Sequence, residues 1–153
     1  MKWVKKSLKI DIKRITEGEE SITIRYKEPG PTISKIIALL NDEGNKLWGR
    51  DGDKSICISI YDILYLESVD DKVFAYTGNK VIKIDGTLNS FITETSDESF
   101  FRCSKSMVMN INRVKSLKSL SSNRIDATME SGEHIIISRR YASEFRKVLK
   151  GER

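Results

Sequence analysis

Between Ser99 and Ile125 the chain carries no acid, while Arg102, Lys105, Arg113, Lys115, Lys118 and Arg124 supply six positive charges. These cations are threaded through Phe100, Phe101, Met107, Val108, Met109, Ile111 and Val114. Charge of one sign on an apolar strand-like run suits a surface made for a polyanion. It also suits a solvated basic sheet edge, where lysines discourage edge-to-edge pairing. Other chemistry is hard to assemble. The one histidine, His134, stands between Glu133 and Ile135 and reads as a surface strand residue. No His, Cys and carboxylate spacing suits a metal, and neither a glycine-rich phosphate loop nor a nucleophile elbow occurs. The acid pairs Asp70-Asp71 and Asp97-Glu98 fall in turns beside solvent. No enzyme and no cofactor is expected.

A chain of 153 residues suits one domain with a small addition, large enough to fold without disulfide or metal. Hydrophobic residues at 39% and charged residues at 32% describe a folded soluble chain, not a disordered one. A net charge of +5 leans weakly towards nucleic acid or an anionic surface. Cys57 and Cys103 sit in apolar runs and read as small core residues. Two cysteines without a secretion signal fit a reducing cytosol, so a cytoplasmic location is expected.

The elements that must position the cations follow from periodicity. Residues 7–15 alternate Leu8, Ile10 and Ile12 against Lys9, Asp11 and Lys13, and Ile22, Ile24 and Tyr26 alternate against Thr23 and Arg25. Both read as strands, joined around Glu17-Gly18-Glu19-Glu20. Thr32 then caps a helix whose face carries Ile33, Ile36, Ile37 and Leu40 and which ends by Gly44. This β-β-α appendage over residues 1–45 is too small to hold a core alone and reads as regulatory or dimerising. From Lys46 onward strands and turns dominate. Asp51-Gly52-Asp53 and Gly78-Asn79 are hairpin turns, the latter of a kind that tolerates positive φ. Ile63, Tyr65 and Glu67 lie on the face opposite Leu64 and Leu66. Thr87 caps a helix bearing Leu88, Phe91 and Ile92, and Ser138 caps a last helix striped with Tyr141, Phe145, Val148 and Leu149. Asn110 and Asn112 read as strand-end side chains that satisfy the backbone.

Three pieces, in this order, resemble the LytTR family of bacterial DNA-binding domains. They are Asp62-Ile63-Leu64-Tyr65-Leu66-Glu67-Ser68 with Val73-Phe74-Ala75-Tyr76-Thr77, then Phe100-Phe101-Arg102-Cys103-Ser104-Lys105-Ser106 leading to Val108-Met109-Asn110-Ile111-Asn112, and last Gly132-Glu133-His134-Ile135-Ile136-Ile137-Ser138-Arg139-Arg140-Tyr141. The match spans residues 46–149. It implies a mainly β fold, with antiparallel strands in small stacked sheets and short helices, and duplex DNA read through three loops, not a recognition helix.

Carried onto this chain, the resemblance puts base contacts at Lys72 in the loop 69–72, at Lys105 in Ser104-Lys105, and at Arg140 in Arg139-Arg140. Arg139, Ser104, Ser138, Arg102, Lys115 and Lys118 then support the backbone of the DNA or the loops. A histidine is common in the family where Ser104 stands here, and the first loop is one residue shorter than in some members. Many members carry a receiver domain ahead of this module, for which 45 residues are too few. The resemblance therefore implies a short standalone transcription regulator. A second protomer beside it on the DNA, about one helical turn away, and a small membrane protein that restrains it are the implied partners. The rival reading is a protein-interaction or ligand-sensing β module whose basic face is incidental.

Overall fold

The computed structural model describes residues 8–41, 45–95 and 97–151. Helix α1 spans Pro31–Asn41. Strands β1 (Lys46–Asp51) and β2 (Lys54–Ser59) form a hairpin, and a 3₁₀ turn at Ile60–Asp62 leads into β3 (Tyr65–Val69). β4 (Lys72–Tyr76), β5 (Val81–Ile84), α2 (Leu88–Thr95), β6 (Phe100–Arg102) and β7 (Met107–Asn110) follow. A second 3₁₀ turn at Ile111–Arg113 precedes β8 (Val114–Leu120), β9 (Arg124–Met129), β10 (His134–Ile137) and α3 (Arg139–Leu149). All strand pairs are antiparallel. One sheet has seven strands in the order β2-β1-β5-β4-β3-β7-β6, and the other has three, β10-β9-β8. The sheets are thus unequal, not uniformly small.

Alternation along the central strands buries both faces of the larger sheet. Leu66, Val73, Ala75, Ile82, Ile84, Phe100 and Val108 pack against Leu88 and Phe91 of α2. On the other side Tyr65, Phe101 and Met109 meet Ile125, Ala127, Met129, Ile135 and Ile137 of the smaller sheet, with Ala142 and Phe145 of α3. The aromatics Phe100, Phe101 and Tyr65 are buried, so they offer no stacking platform for single-stranded RNA. Asn110 is buried at the end of β7. Its Nδ2 donates to the Ile63 carbonyl at 2.9 Å and its Oδ1 accepts from the Asn112 N–H at 3.1 Å, which is the backbone-satisfying role expected of it.

Several local expectations are corrected. Residues 8–30 form no strand, and Leu8, Ile10, Ile12, Ile22 and Tyr26 stay exposed. A lone two-stranded hairpin is marginal in water, and no third strand meets it among the described residues. Of the β-β-α appendage, only the helix is present among the described residues. α1 starts at Pro31, not after a Thr32 cap. Proline's fixed φ and missing N–H suit the first helical position, and Ser34 N–H donates to the Gly30 carbonyl at 3.0 Å. The helix's expected end near Gly44 lies outside the described residues. Ile33 is buried, but Leu40 is exposed.

Cys103 is buried, whereas Cys57 is exposed. β2 is an edge strand, and Cys57 pairs with exposed Trp48 on its solvent side, opposite Ile56 and Ile58. Ile63 and Leu66 share one core layer and Leu64 and Tyr65 the other, because the 3₁₀ turn before them breaks the strict alternation. Gly78-Asn79 turns the chain without positive φ, held by the Thr77 hydroxyl accepting from the Lys80 N–H at 3.1 Å. Thr87 caps α2 as expected: its Oγ1 accepts from the Ser90 N–H at 3.0 Å, and Ser90 Oγ accepts from the Thr87 N–H at 2.8 Å. Ser138 stands at the N-cap of α3, but its hydroxyl takes no hydrogen bond there. Ala142 replaces Leu149 in the buried stripe of α3, and Leu149 is exposed one turn past the core.

Candidate nucleic-acid interface

Three segments far apart in sequence meet at one edge of the molecule. The first is the turn between β3 and β4. Val69 pairs with Lys72, and Asp70 and Asp71 between them have φ of 50° and 60°. Two consecutive left-handed residues make the tight hairpin turn whose twist matches its strands. Aspartate tolerates that region better than most residues, so the acids here have a conformational reason. Lys72 leaves this turn at the start of β4 and is exposed.

The second segment is the loop between β6 and β7. Ser106 O accepts from the Ser68 N–H at 2.8 Å, tying this loop to the first. Arg102 holds its shape. Its Nε donates to Ser104 O at 2.8 Å, its Nη1 donates to Asn89 Oδ1 at 2.8 Å, and its Nη2 donates to Lys105 O. Three bonds from one planar guanidinium fix the loop backbone and anchor it to the first turn of α2. Ser104 is half-buried, and its Oγ accepts from the Ser106 N–H at 3.3 Å. Both residues shape the loop, while Lys105 projects from it, exposed. A recess of about 200 Å³ between Lys105, Arg102, Asn89 and Asp71 joins the two loops to α2.

The third segment is the start of α3. Ser138 N–H donates to the Cys103 carbonyl at 2.9 Å, so this helix begins against the second loop. Arg139 and Arg140 open the helix and are exposed. The Arg140 guanidinium lies 5.6 Å from the Tyr141 ring centroid, a contact that steadies it without hiding its donors. With no side-chain cap from Ser138, the first N–H groups of α3 keep their capacity for an anion. Among the described residues, Lys72, Lys105, Arg139 and Arg140 form no salt bridge.

The other predicted cations lie elsewhere. Arg113 is occupied at the opposite end of β7: its Nε and Nη2 donate to the Tyr61 carbonyl at 3.1 and 2.6 Å, and its Nη1 donates to Glu130 at 3.1 Å. Lys115 follows it at that end of β8, away from the three segments. Lys118 is exposed on β8, in register with Asp126. His134 is exposed, with Nδ1 2.9 Å from Asp126. The acid-free run of sequence is therefore not one continuous basic face. Sequence reasoning missed Asn89, the partner of Arg102, because the contact crosses from α2 to β6. Its position after the Thr87 cap was the available signal.

Two further groups brace the layers behind this edge. Tyr65 and Tyr76 stack with centroids 4.4 Å apart, Tyr65 OH donates to Glu133, and Tyr76 OH donates to Glu67 at 3.0 Å. Burial, then the bond to Glu133, raises the Tyr65 phenol above its ordinary range, and burial with Glu67 raises that of Tyr76. Burial pushes the Cys103 thiol up to about 12. No group of three or more metal-ligating side chains occurs among the described residues, and no helix among them is long and apolar enough to cross a membrane.

The model of the LytTr DNA-binding domain matches residues 53–150. The chain is 28% identical over 95 residues to the sensory transduction protein LytT of Bacillus anthracis, which covers 62% of this chain and 39% of the relative. It is 24% identical over 119 residues to the transcriptional regulatory protein YpdB of Escherichia coli K12, covering 77% of this chain and 49% of that one. A solved LytTr DNA-binding domain from Bacillus cereus superposes with a TM-score of 0.66 at 27% identity, covering 69% of this chain and 96% of that one. Fold and match together define a mainly β protein built around a DNA-binding domain. The chain belongs to the LytTR family, a family of DNA-binding domains and not of enzymes. It spans half or less of the length of the LytT and YpdB relatives named here, as their coverage of 39% and 49% states.

Proposed function

We propose that this chain regulates transcription by binding duplex DNA in a sequence-dependent way through the edge formed by the three segments. The single observation that carries this reading is the backbone link from Ser68 to Ser106 and from Cys103 to Ser138. It gathers Lys72, Lys105 and Arg140, cations without acid partners among the described residues, onto one edge. Arg140 is the reader of a base: its planar fork matches guanine O6 and N7, and a helix start holds it firmly. Lys72 and Lys105 reach base edges or phosphates from the two turns. Arg139 and Lys118 serve phosphates, Arg102, Ser104 and Ser138 support the loops, and Lys115, exposed beside Arg113 at the start of β8, is assigned at most an outlying phosphate.

The test is selection of bound sites from a random duplex pool with the full chain, followed by anisotropy on the enriched site and a scrambled one. The reading expects an enriched site, whose preference at one position relaxes in Arg140→Ala. Lys118→Ala should instead weaken both duplexes equally and reduce the log-affinity versus log-salt slope by about 0.9. An unenriched pool, with Arg140→Ala weakening every duplex alike, would reduce the edge to an electrostatic anchor. No duplex binding at all would favour a protein-interaction module instead.

A further inference from the structure

Residues 8–12 and 22–26 present an unusual combination: strict strand periodicity, largely exposed apolar side chains and no strand partner among the described residues. Leu8, Ile10, Ile12, Ile22 and Tyr26 are between 50% and 88% exposed, and residues 8–29 make no backbone hydrogen bonds to one another. Apolar side chains at every second position are costly to leave in water, and two strands alone bury too little to hold together. A third and fourth strand of the same kind would complete the sheet. A second copy of this chain supplies both.

We propose that residues 8–26 associate with the same residues of a second copy, forming an intermolecular four-stranded antiparallel sheet in which residues 8–12 of the two chains pair about a two-fold axis at Ile10. Charge selects this arrangement. With Ile10 opposite Ile10, Leu8 faces Ile12 twice, and Lys9 faces Asp11 twice. Across this central pair every apolar residue meets an apolar residue, and every charge meets its opposite. Centring the axis on Lys9 or Asp11 instead places like charges face to face, and centring it on Ile12 sets Ile10 against Arg14. The segment is therefore self-complementary in one register. At present Asp11 has an exposed contact with Lys13 of its own chain, 3.7 Å long, and a screened surface pair of this kind is easily exchanged. Within each copy, Leu8 opposite Tyr26, Ile10 opposite Ile24 and Ile12 opposite Ile22 complete a hairpin whose apolar face continues that of the central pair.

The register makes the experiment a charge swap on the full chain, read by sedimentation equilibrium with circular dichroism to confirm the folded β domain. The native chain should associate to twice its mass at concentrations up to roughly 100 µM. K9E sets Glu against Asp11 twice, and D11K sets Lys9 against Lys twice, so each should weaken association by about tenfold or more. An equimolar mixture of K9E and D11K chains should restore a dimer containing one of each, and the K9E/D11K double variant should dimerise by itself. The swap also separates this interface from the hairpin. Lys9 lies opposite Arg25 within its own copy, so K9E favours the hairpin while opposing the dimer. A native chain that stays monomeric, or single variants that associate like the native chain, would overturn the proposal. So would a mixture that fails to restore the dimer.

Discussion

Arg113 and Arg140 belong to the same basic half of the sequence, yet their surroundings assign them opposite work, and alanine at each should divide stability from DNA affinity. Arg113 gives two N–H bonds to the Tyr61 carbonyl and one to Glu130, with its side chain 34% exposed. Charge-assisted bonds to a half-buried carbonyl are worth about 1 kcal/mol each after solvent competition. The Glu130 pair, half exposed, adds between about 0 and 1 kcal/mol. Arg113→Ala should therefore cost about 2 kcal/mol of unfolding free energy, or roughly 4–8 °C in Tm for a chain of this size. Its distance from the three segments leaves only a screened, long-range effect on DNA, within about twofold at physiological salt. Arg140 is exposed and its guanidinium lies over the Tyr141 ring, a contact worth less than about 1 kcal/mol to the fold. Arg140→Ala should leave urea unfolding nearly unchanged while costing about 1–3 kcal/mol of specific DNA binding. Urea titrations of both variants, paired with anisotropy on the selected duplex, give the comparison. If the folded Arg113→Ala protein loses as much DNA affinity as Arg140→Ala, the DNA-facing edge has been placed at the wrong end of the sheet.

Three other outcomes follow from the packing. A chromogenic disulfide reagent should titrate Cys57 alone in the native protein and both thiols in denaturant, since Cys103 is buried with its thiol pushed up to about 12. Cys57→Ser should change stability by less than about 0.5 kcal/mol and Cys103→Ser by about 1–2 kcal/mol. Gly49→Ala should detach β1 from β5, because a methyl group there would lie 2.2 Å from Ile82 Cγ2 and 2.8 Å from the Lys83 carbonyl; an unchanged Tm would contradict this. Finally, the raised Tyr65 and Tyr76 phenols bind their protons more tightly folded than unfolded. Their stabilisation is complete below the ordinary tyrosine value of about 10 and is lost as pH rises above it. Unfolding free energy measured across that range should fall, and should fall less steeply in Tyr65→Phe.

Local pattern was enough for much of this molecule. Strand-like patterning marked most of the strands, because a side chain on a pleated surface either enters the core or does not; β8, exposed along most of its length, carries no such alternation. The Thr87 cap and the Asn110 hydrogen bonds were legible because they are satisfied within a few residues or at a strand end. The ordered pieces of the LytTR resemblance fixed the family and pointed to Lys72, Lys105 and Arg140. Tertiary structure decided what local pattern leaves open. Periodicity at residues 8–26 states a capacity to pair, but pairing needs a partner strand, and the described residues supply none. Cys57 and Cys103 sit in similar runs, and only the place of β2 at the sheet edge separates an exposed thiol from a buried one. Six cations contiguous in sequence became distinct groups in space. Hydrogen bonds from Arg102 and Arg113 to carbonyls distant in the chain, and the bond from Cys103 to Ser138, are long-range contacts that no neighbouring residue specifies.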